Sequence, residues 1–246
     1  MYDLKRLKEL AERSYNTGQY TFTDFLGLPE LSEFYKNEKE LHFASPALFG
    51  GCEIAERKVI RFGNENELGY LVDFPIAALS VKPLQKKFAD DLTHRDFLGA
   101  LMNLGIKRQL LGDIFIKDNE AIIFCRDSIC EYMIENLTRV KHTSVSVAVT
   151  DETGLITAPD AGEKMIQVSS ARLDAIIAKT YNISRQEALS LFSSGLVFLN
   201  GMECNENAKV PKDGDLITVR GRGRFEFAGT AGLSKKGKLN CRIRLY

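Results

Sequence analysis

SSARLDAIIAKTYNISRQEALSLFSSGLVFLNG, residues 169–201, decides how this chain is read. Leu173, Ile176 and Ile177 recur at helical spacing, with Ser169 and Ser170 standing where a helix cap belongs. Ser184 and Glu187 have the spacing of a capping box, and a stripe of Ala188, Leu189 and Phe192 follows. Gly195 falls where a left-handed residue ends a helix. Residues 197–199 then read as a strand and Asn200-Gly201 as a tight turn.

Further on, Lys212-Asp213-Gly214-Asp215 is a second turn, leading into a strand over 216–220. Two helices and a small sheet thus absorb the apolar residues, and what remains exposed is basic. Arg172 and Arg185 are expected in the first turns of their helices, beside free N–H groups that favour phosphate oxygens. Arg220, Arg222 and Arg224 alternate with glycines and are expected along one edge. Ser184, Gln186 and Lys209 complete the candidate RNA-binding set, and Lys235, Lys236, Lys238, Arg242 and Arg244 extend it. For 235–238 a solvated charged tail is an equal reading. Asp174 is expected to orient an arginine or cap its helix.

The net charge of zero conceals a division: 166–246 carries 13 Lys+Arg against 7 Asp+Glu, leaving 20 against 26 elsewhere. Such asymmetry suggests a nucleic-acid-binding end. The start shows no apolar leader, and no run approaches the ~18 apolar residues of a membrane span, so a cytoplasmic protein is expected. Five cysteines without paired spacing suit reduced thiols. Cys125 and Cys130 stand alone, short of the four ligands of structural zinc, so no metal is expected.

The remainder divides into two parts. Residues 1–74 read as a small mixed α/β domain, with Leu4, Leu7, Leu10 and Ala11 on one helix and Leu31, Phe34 and Tyr35 on another after Pro29. A strand at 57–62 follows Gly50-Gly51. Residues 75–165 read as strand 76–81, helix 93–104, strands 113–116 and 121–124 about an Asp118-Asn119 turn, helix 128–137 and strand 145–149. That order, β-α-β-β-α-β, is ferredoxin-like. With one ring, Phe124, in 121–124, base stacking on its sheet is not the expected route to RNA. Residues 151–163 read as a linker or a loosely held crossing strand, and 166–246 form the basic module. The expected class is therefore α+β in three small domains.

Catalytic signals are weak. Arg172-Leu173-Asp174 resembles a pseudouridine-synthase motif, but Ala175-Ile176-Ile177 replace its Ser/Thr and Gly. His94-Arg95-Asp96 resembles a kinase catalytic loop, but Leu101 stands at its asparagine position and no phosphate-covering glycine loop exists. No cofactor fingerprint appears, and His42, His94 and His142 lack a serine elbow or cysteine partner. No catalytic residue, no cofactor and no enzyme activity are expected. Thr93 and Asp96 suit a helix cap above a stripe of Phe97, Leu98, Leu101 and Met102, with Gly105 ending the helix. The same region offers a second RNA contact of Lys86, Lys87, His94, Arg95, Lys107 and Arg108, and the sequence leaves both readings open.

The ordered set Ala171-Arg172-Leu173-Asp174, Ser184-Arg185, Gly195, Val197, Asn200-Gly201, Asp215 and Arg220-Gly221 resembles the S-four RNA-binding domain. The segment LTHRDFLGALMNLGIKR at 92–108, with Gly112-Asp113-Ile114, Phe49-Gly50-Gly51 and Ala55-Glu56-Arg57-Lys58, is similar to the YlmH family. Cys52-Glu53-Ile54 departs from that family's pattern. The resemblance implies a bacterial cytosolic factor that binds rRNA of the large ribosomal subunit and peptidyl-tRNA. It also implies ribosome-associated quality control, supporting tail addition to stalled nascent chains, and a link to the cell-division gene neighbourhood. A monomer with no membrane partner is expected. The rivals are an RNA-modifying enzyme, of pseudouridine-synthase or methyltransferase type with its centre in the front domains, and an adaptor using the acidic front.

Overall fold

Asp3 opens the first helix by accepting the Arg6 N–H at 2.9 Å, and Gly18, left-handed at φ 63°, closes it. The computed structural model describes residues 3–151, 156, 162–234 and 236–246. Most of the expected 151–163 linker, and Lys235, lie outside the described residues. The class is α+β. Two compact units form, Met1–Glu30 with Asn37–Thr157 and Leu31–Lys36 with Ala158–Tyr246. No helix among the described residues is long and apolar enough to cross a membrane, and the five cysteines are free thiols.

In chain order, the stretch up to Thr157 holds α1 (Leu4–Thr17), β1 (Thr21–Phe22), α2 (Leu28–Leu41), β2 (Ala47–Phe49), β3 (Val59–Phe62) and α3 (Glu65–Leu68). Then come β4 (Ile76–Pro83), α4 (His94–Asn103), β5 (Leu111–Lys117), β6 (Glu120–Arg126), α5 (Cys130–Asn136), β7 (Arg139–Val140) and β8 (Thr143–Val149). Strands β1-β3-β2 make one antiparallel sheet and β5-β6-β4-β8-β7 another. The β5–β6 hairpin turns at Asp118 and Asn119, both at positive φ (52° and 63°), as a tight two-residue turn demands.

Alternation along the strands gives the larger sheet two apolar faces. Leu79, Val81 and Ile123 point to the helix side, where Phe97, Leu101 and Met133 from α4 and α5 are fully buried. Ala78 and Phe124 point the other way and pack on Phe25 and Val59, with Phe22, Phe74 and Phe115 beside them. Each fully buried side chain of this size contributes about 1.5–3 kcal/mol. Arg57 clamps the second face: Nε donates to Leu111 O at 2.9 Å and an Nη to Phe25 O at 2.8 Å. Asp113 accepts the backbone N–H of both Glu56 and Arg57. Gly51, at φ 100°, is obligatory because a Cβ there would lie 2.2 Å from the Phe124 ring. Met102, expected in the stripe of α4, is 45% exposed because its position turns away from the sheet.

The second unit contains β9 (Gly162–Val168), α6 (Leu173–Thr180), α7 (Arg185–Ser193), β10 (Val197–Leu199), β11 (Met202–Glu203), β12 (Leu216–Val219), β13 (Gly223–Leu233) and β14 (Leu239–Leu245). Six antiparallel strands run in the order β11-β10-β12-β13-β14-β9. Helices α6 and α7 cover one face through Leu173, Ile176, Ile177, Ala188, Leu191 and Phe192, which meet Val197, Ile217, Phe225 and Ile243. Leu191 takes the buried place expected of Leu189, which is 39% exposed. Ser169 and Ser170 do not cap α6: its N-cap is Arg172, without a side-chain cap.

Candidate nucleic-acid interface

Asp174 is the centre of the basic module. It is buried on α6, and its carboxylate accepts from Arg172 Nε and Nη2 at 3.1 Å and from Arg185 Nε at 3.1 Å. The Arg172 and Arg185 side chains remain 37% and 51% exposed. One carboxylate cannot cancel two guanidiniums, so the group keeps a net positive charge and outward N–H donors. An Arg side chain carries about 2 kcal/mol of rotamer entropy, part of which these pairs have already lost before any ligand arrives.

The N-terminus of α6 is not an open anion site. The Leu173 and Asp174 N–H groups donate to the carbonyls of Lys209 and Asn207 at 2.9 and 3.0 Å. That loop contact brings exposed Lys209 beside Arg172. At α7 the Ser184 hydroxyl accepts the Glu187 N–H at 3.1 Å. The reciprocal half of the capping box is missing because the Glu187 carboxylate binds Arg222 instead. Exposed Gln186 lies beside Arg185 in the same first turn.

The three alternating arginines do not share an edge. Arg220 and Arg222 belong to the β12–β13 turn, where Gly221 has φ 81°. Arg220 is exposed and, among the described residues, forms no ion pair. Arg224 has entered β13 and lies over the Tyr246 ring at 5.3 Å, on the sheet face away from the helices. Arg244, on that outer face, pairs with Glu226 at 2.8 Å. Exposed Arg242 sits two places before it on β14. Lys236 and Lys238 occupy the far end of the β13–β14 hairpin, roughly 30 Å of strand from Arg222 at 3.3 Å per residue, so they do not extend the patch. The structure therefore gathers Arg172, Ser184, Arg185, Gln186, Lys209 and Arg222, with Arg220 on the adjoining turn residue.

The second candidate set, in the other unit, is dispersed. Lys86 pairs with Glu120, and Lys87 lies over the Phe88 ring at 5.9 Å. Arg108 turns inward and donates to Leu111 O at 2.9 Å and Gly112 O at 3.1 Å. Burial, then the charge of Arg57, draw its pKa down to about 10. His94 is pulled below its ordinary value by partial burial and by Arg108. Lys107 is exposed. Arg95 lines a cleft beside Arg139 and Lys141, two cations that the sequence reading missed. Their signal was a Lys-His turn between two short β-branched stretches at 139–145.

The sequence model of the family described as "Putative RNA-binding domain in YlmH" matches residues 71–153. Over 193 residues the chain is 33% identical to "Ribosome-associated protein quality control protein P2" of Bacillus subtilis (strain 168), covering 78% of this chain and 74% of that protein. Among solved structures it is similar to "Cell division protein ylmH from Streptococcus pneumoniae". That likeness has 20% identity and a TM-score of 0.48, over 63% of this chain and 92% of the other.

Proposed function

The chain belongs to the YlmH family, and we propose on that premise that it is a non-enzymatic RNA-binding factor of the ribosome. Its RNA is rRNA of the large subunit, with peptidyl-tRNA as a second partner. It acts in the cytoplasm as a monomer in quality control, supporting the tailing of stalled nascent chains. The family description of 71–153 supports RNA binding, and the relative's ribosome-associated name supports the ribosomal assignment. In this reading the 166–246 module is an S-four domain, and the β-α-β-β-α-β sheet at 75–149 is a ferredoxin-like partner.

The observation that carries the reading is the buried Asp174 carboxylate holding Arg172 and Arg185 in fixed directions. Two immobilised guanidiniums, Lys209 and Arg220 can meet several phosphates of a folded RNA without first losing side-chain freedom. Binding of this kind needs no bond to be made or broken. Mass spectrometry of rRNA nucleosides from a deletion strain tests the non-enzymatic part, where a lost modification overturns it.

Fluorescence anisotropy with labelled large-subunit rRNA fragments across a salt series tests the binding. Replacing Arg172, Arg185 and Arg220 together by alanine lowers affinity and flattens the salt dependence by about two to three ions. Unchanged affinity in that variant overturns the proposal.

A further inference from the structure

The larger sheet of the first unit exposes no aromatic platform for bases to stack on: the open part of its second face carries Lys82, Ser144, Ser146 and Ala148. Ala78 and Phe124 of its second face are buried against Phe25 and Val59, and Phe115 packs beside them. The helix side carries the core of α4 and α5. An RNA ligand of this unit is therefore met by polar and charged groups and not by stacking rings, and the strongest cluster of cations lies at the sheet's end.

A cleft of about 510 Å³ opens there, between α4, the end of α5 and the β7–β8 turn. Arg95, Arg139 and Lys141 line it, together with the carboxamides of Asn103 and Asn136. Arg95 and Lys141 form no ion pair among the described residues. Arg139 makes one long contact, 3.3 Å to His142 O. Asp96, which also lines the cleft, is committed to the α4 cap, its Oδ2 accepting from Thr93 N and Oγ1 at 2.8 and 2.7 Å. The nearby Asp90 is committed too, accepting from His142 N and Thr143 Oγ1, both at 3.0 Å. Those two bonds pin the turn that carries Lys141, whose φ is 56°. Both carboxylates are held below their ordinary range by these bonds and feel Lys141.

We propose that this cleft grips the phosphodiester backbone of RNA, giving the protein a second RNA site independent of the Asp174-centred one. The proposal rests on the RNA-binding function above. Three cations against one capped carboxylate leave the lining net positive, the condition for a phosphate site. No aromatic ring lines the cleft, so it does not hold bases by stacking. The two carboxamides supply neutral donors and acceptors for ribose hydroxyls, as suits shape-reading of folded RNA. The site differs from the sequence-derived second set: of that set it keeps only Arg95.

The test uses the full chain, large-subunit rRNA, and inorganic phosphate as a separate probe. In Arg95→Gln/Arg139→Gln/Lys141→Asn, where asparagine tolerates the positive φ, rRNA affinity falls about tenfold and the salt slope drops by about two to three ions. Ultraviolet crosslinking of the wild type places RNA on peptides spanning 95–103 and 136–141. Arg95→Lys/Arg139→Lys keeps the charge and therefore the slope, which separates lost contact from lost fold.

An unchanged slope in the neutral variant without crosslinks in the cleft overturns this inference, while loss of binding in the Arg172/Arg185/Arg220 variant leaves the proposed function standing. A wild type that does not bind rRNA at all overturns both. Saturable binding of inorganic phosphate in the cleft, seen by NMR without RNA crosslinks there, assigns it to a free anion and overturns the inference alone.

Discussion

Arg185 Nε reaches Asp174 Oδ2 at 3.1 Å across eleven residues of sequence, joining the starts of α6 and α7 through one buried carboxylate. The candidate interface is thus built around an acid. The acid fixes where the cations point, and its effect can be separated from theirs.

Asp174→Asn keeps the shape but weakens three charge-assisted hydrogen bonds. Stability falls by about 2 kcal/mol, read as a lower urea midpoint at unchanged m. Affinity for rRNA falls although a negative charge has been removed, because the arginines lose their fixed directions. Tighter binding in this variant contradicts the positioning role.

Glu187→Gln acts in the opposite sense. The Ser184 cap uses the backbone N–H of residue 187 and survives, while Arg222 loses its ion-pair partner. Affinity rises a few-fold, and the salt slope steepens by about one ion. An anisotropy titration at several salt concentrations measures both.

Arg57→Met empties the clamp on the sheet's second face. The Phe25 carbonyl loses its donor, while those of Leu111 and Arg108 lose one hydrogen bond each and keep Arg108 Nη1 and the Leu111 N–H, costing about 3 kcal/mol with the lost ion pairing. For a chain of this size that lowers Tm by roughly 6–12 °C. The salt slope of RNA binding stays as in the wild type, which marks Arg57 as a structural residue.

His94 gives a pH signature. Folding holds it below its ordinary 6.5, so the unfolded chain binds more protons as pH drops below that value. The stability present above the unfolded value is lost as pH falls through the folded one. In His94→Gln the decline of Tm between about pH 6.5 and pH 5 is shallower. An identical profile in wild type and variant contradicts the assignment.

Local signals carried most of the elements. The Thr93–Asp96 cap, the Asp118-Asn119 turn, Ser184 and Gly195 all sit where their chemistry suggested, because each depends on neighbours in sequence. Non-local partners were illegible. β9 looks like linker, with Gly162 beside charged residues, and becomes a strand only by pairing with β14, Gly162 opposite Leu245. Glu187 has the spacing of a capping-box acid, and nothing in 184–187 reveals that Arg222 claims its carboxylate. The period of α7 allowed either Leu189 or Leu191 inside, and the packing against the sheet decided. The alternation of Arg220, Arg222 and Arg224 failed as a guide because the chain turns at Gly221 before the strand begins.

β14 is an interior strand, flanked by β13 and β9. During synthesis neither neighbour can complete its ladder until residues 239–245 have cleared the exit tunnel. Strands β11-β10-β12-β13 can pair before that, whereas β9 joins only through β14, so a polypeptide interrupted before Leu239 would present an open β13 edge and an unpaired β9 to proteases.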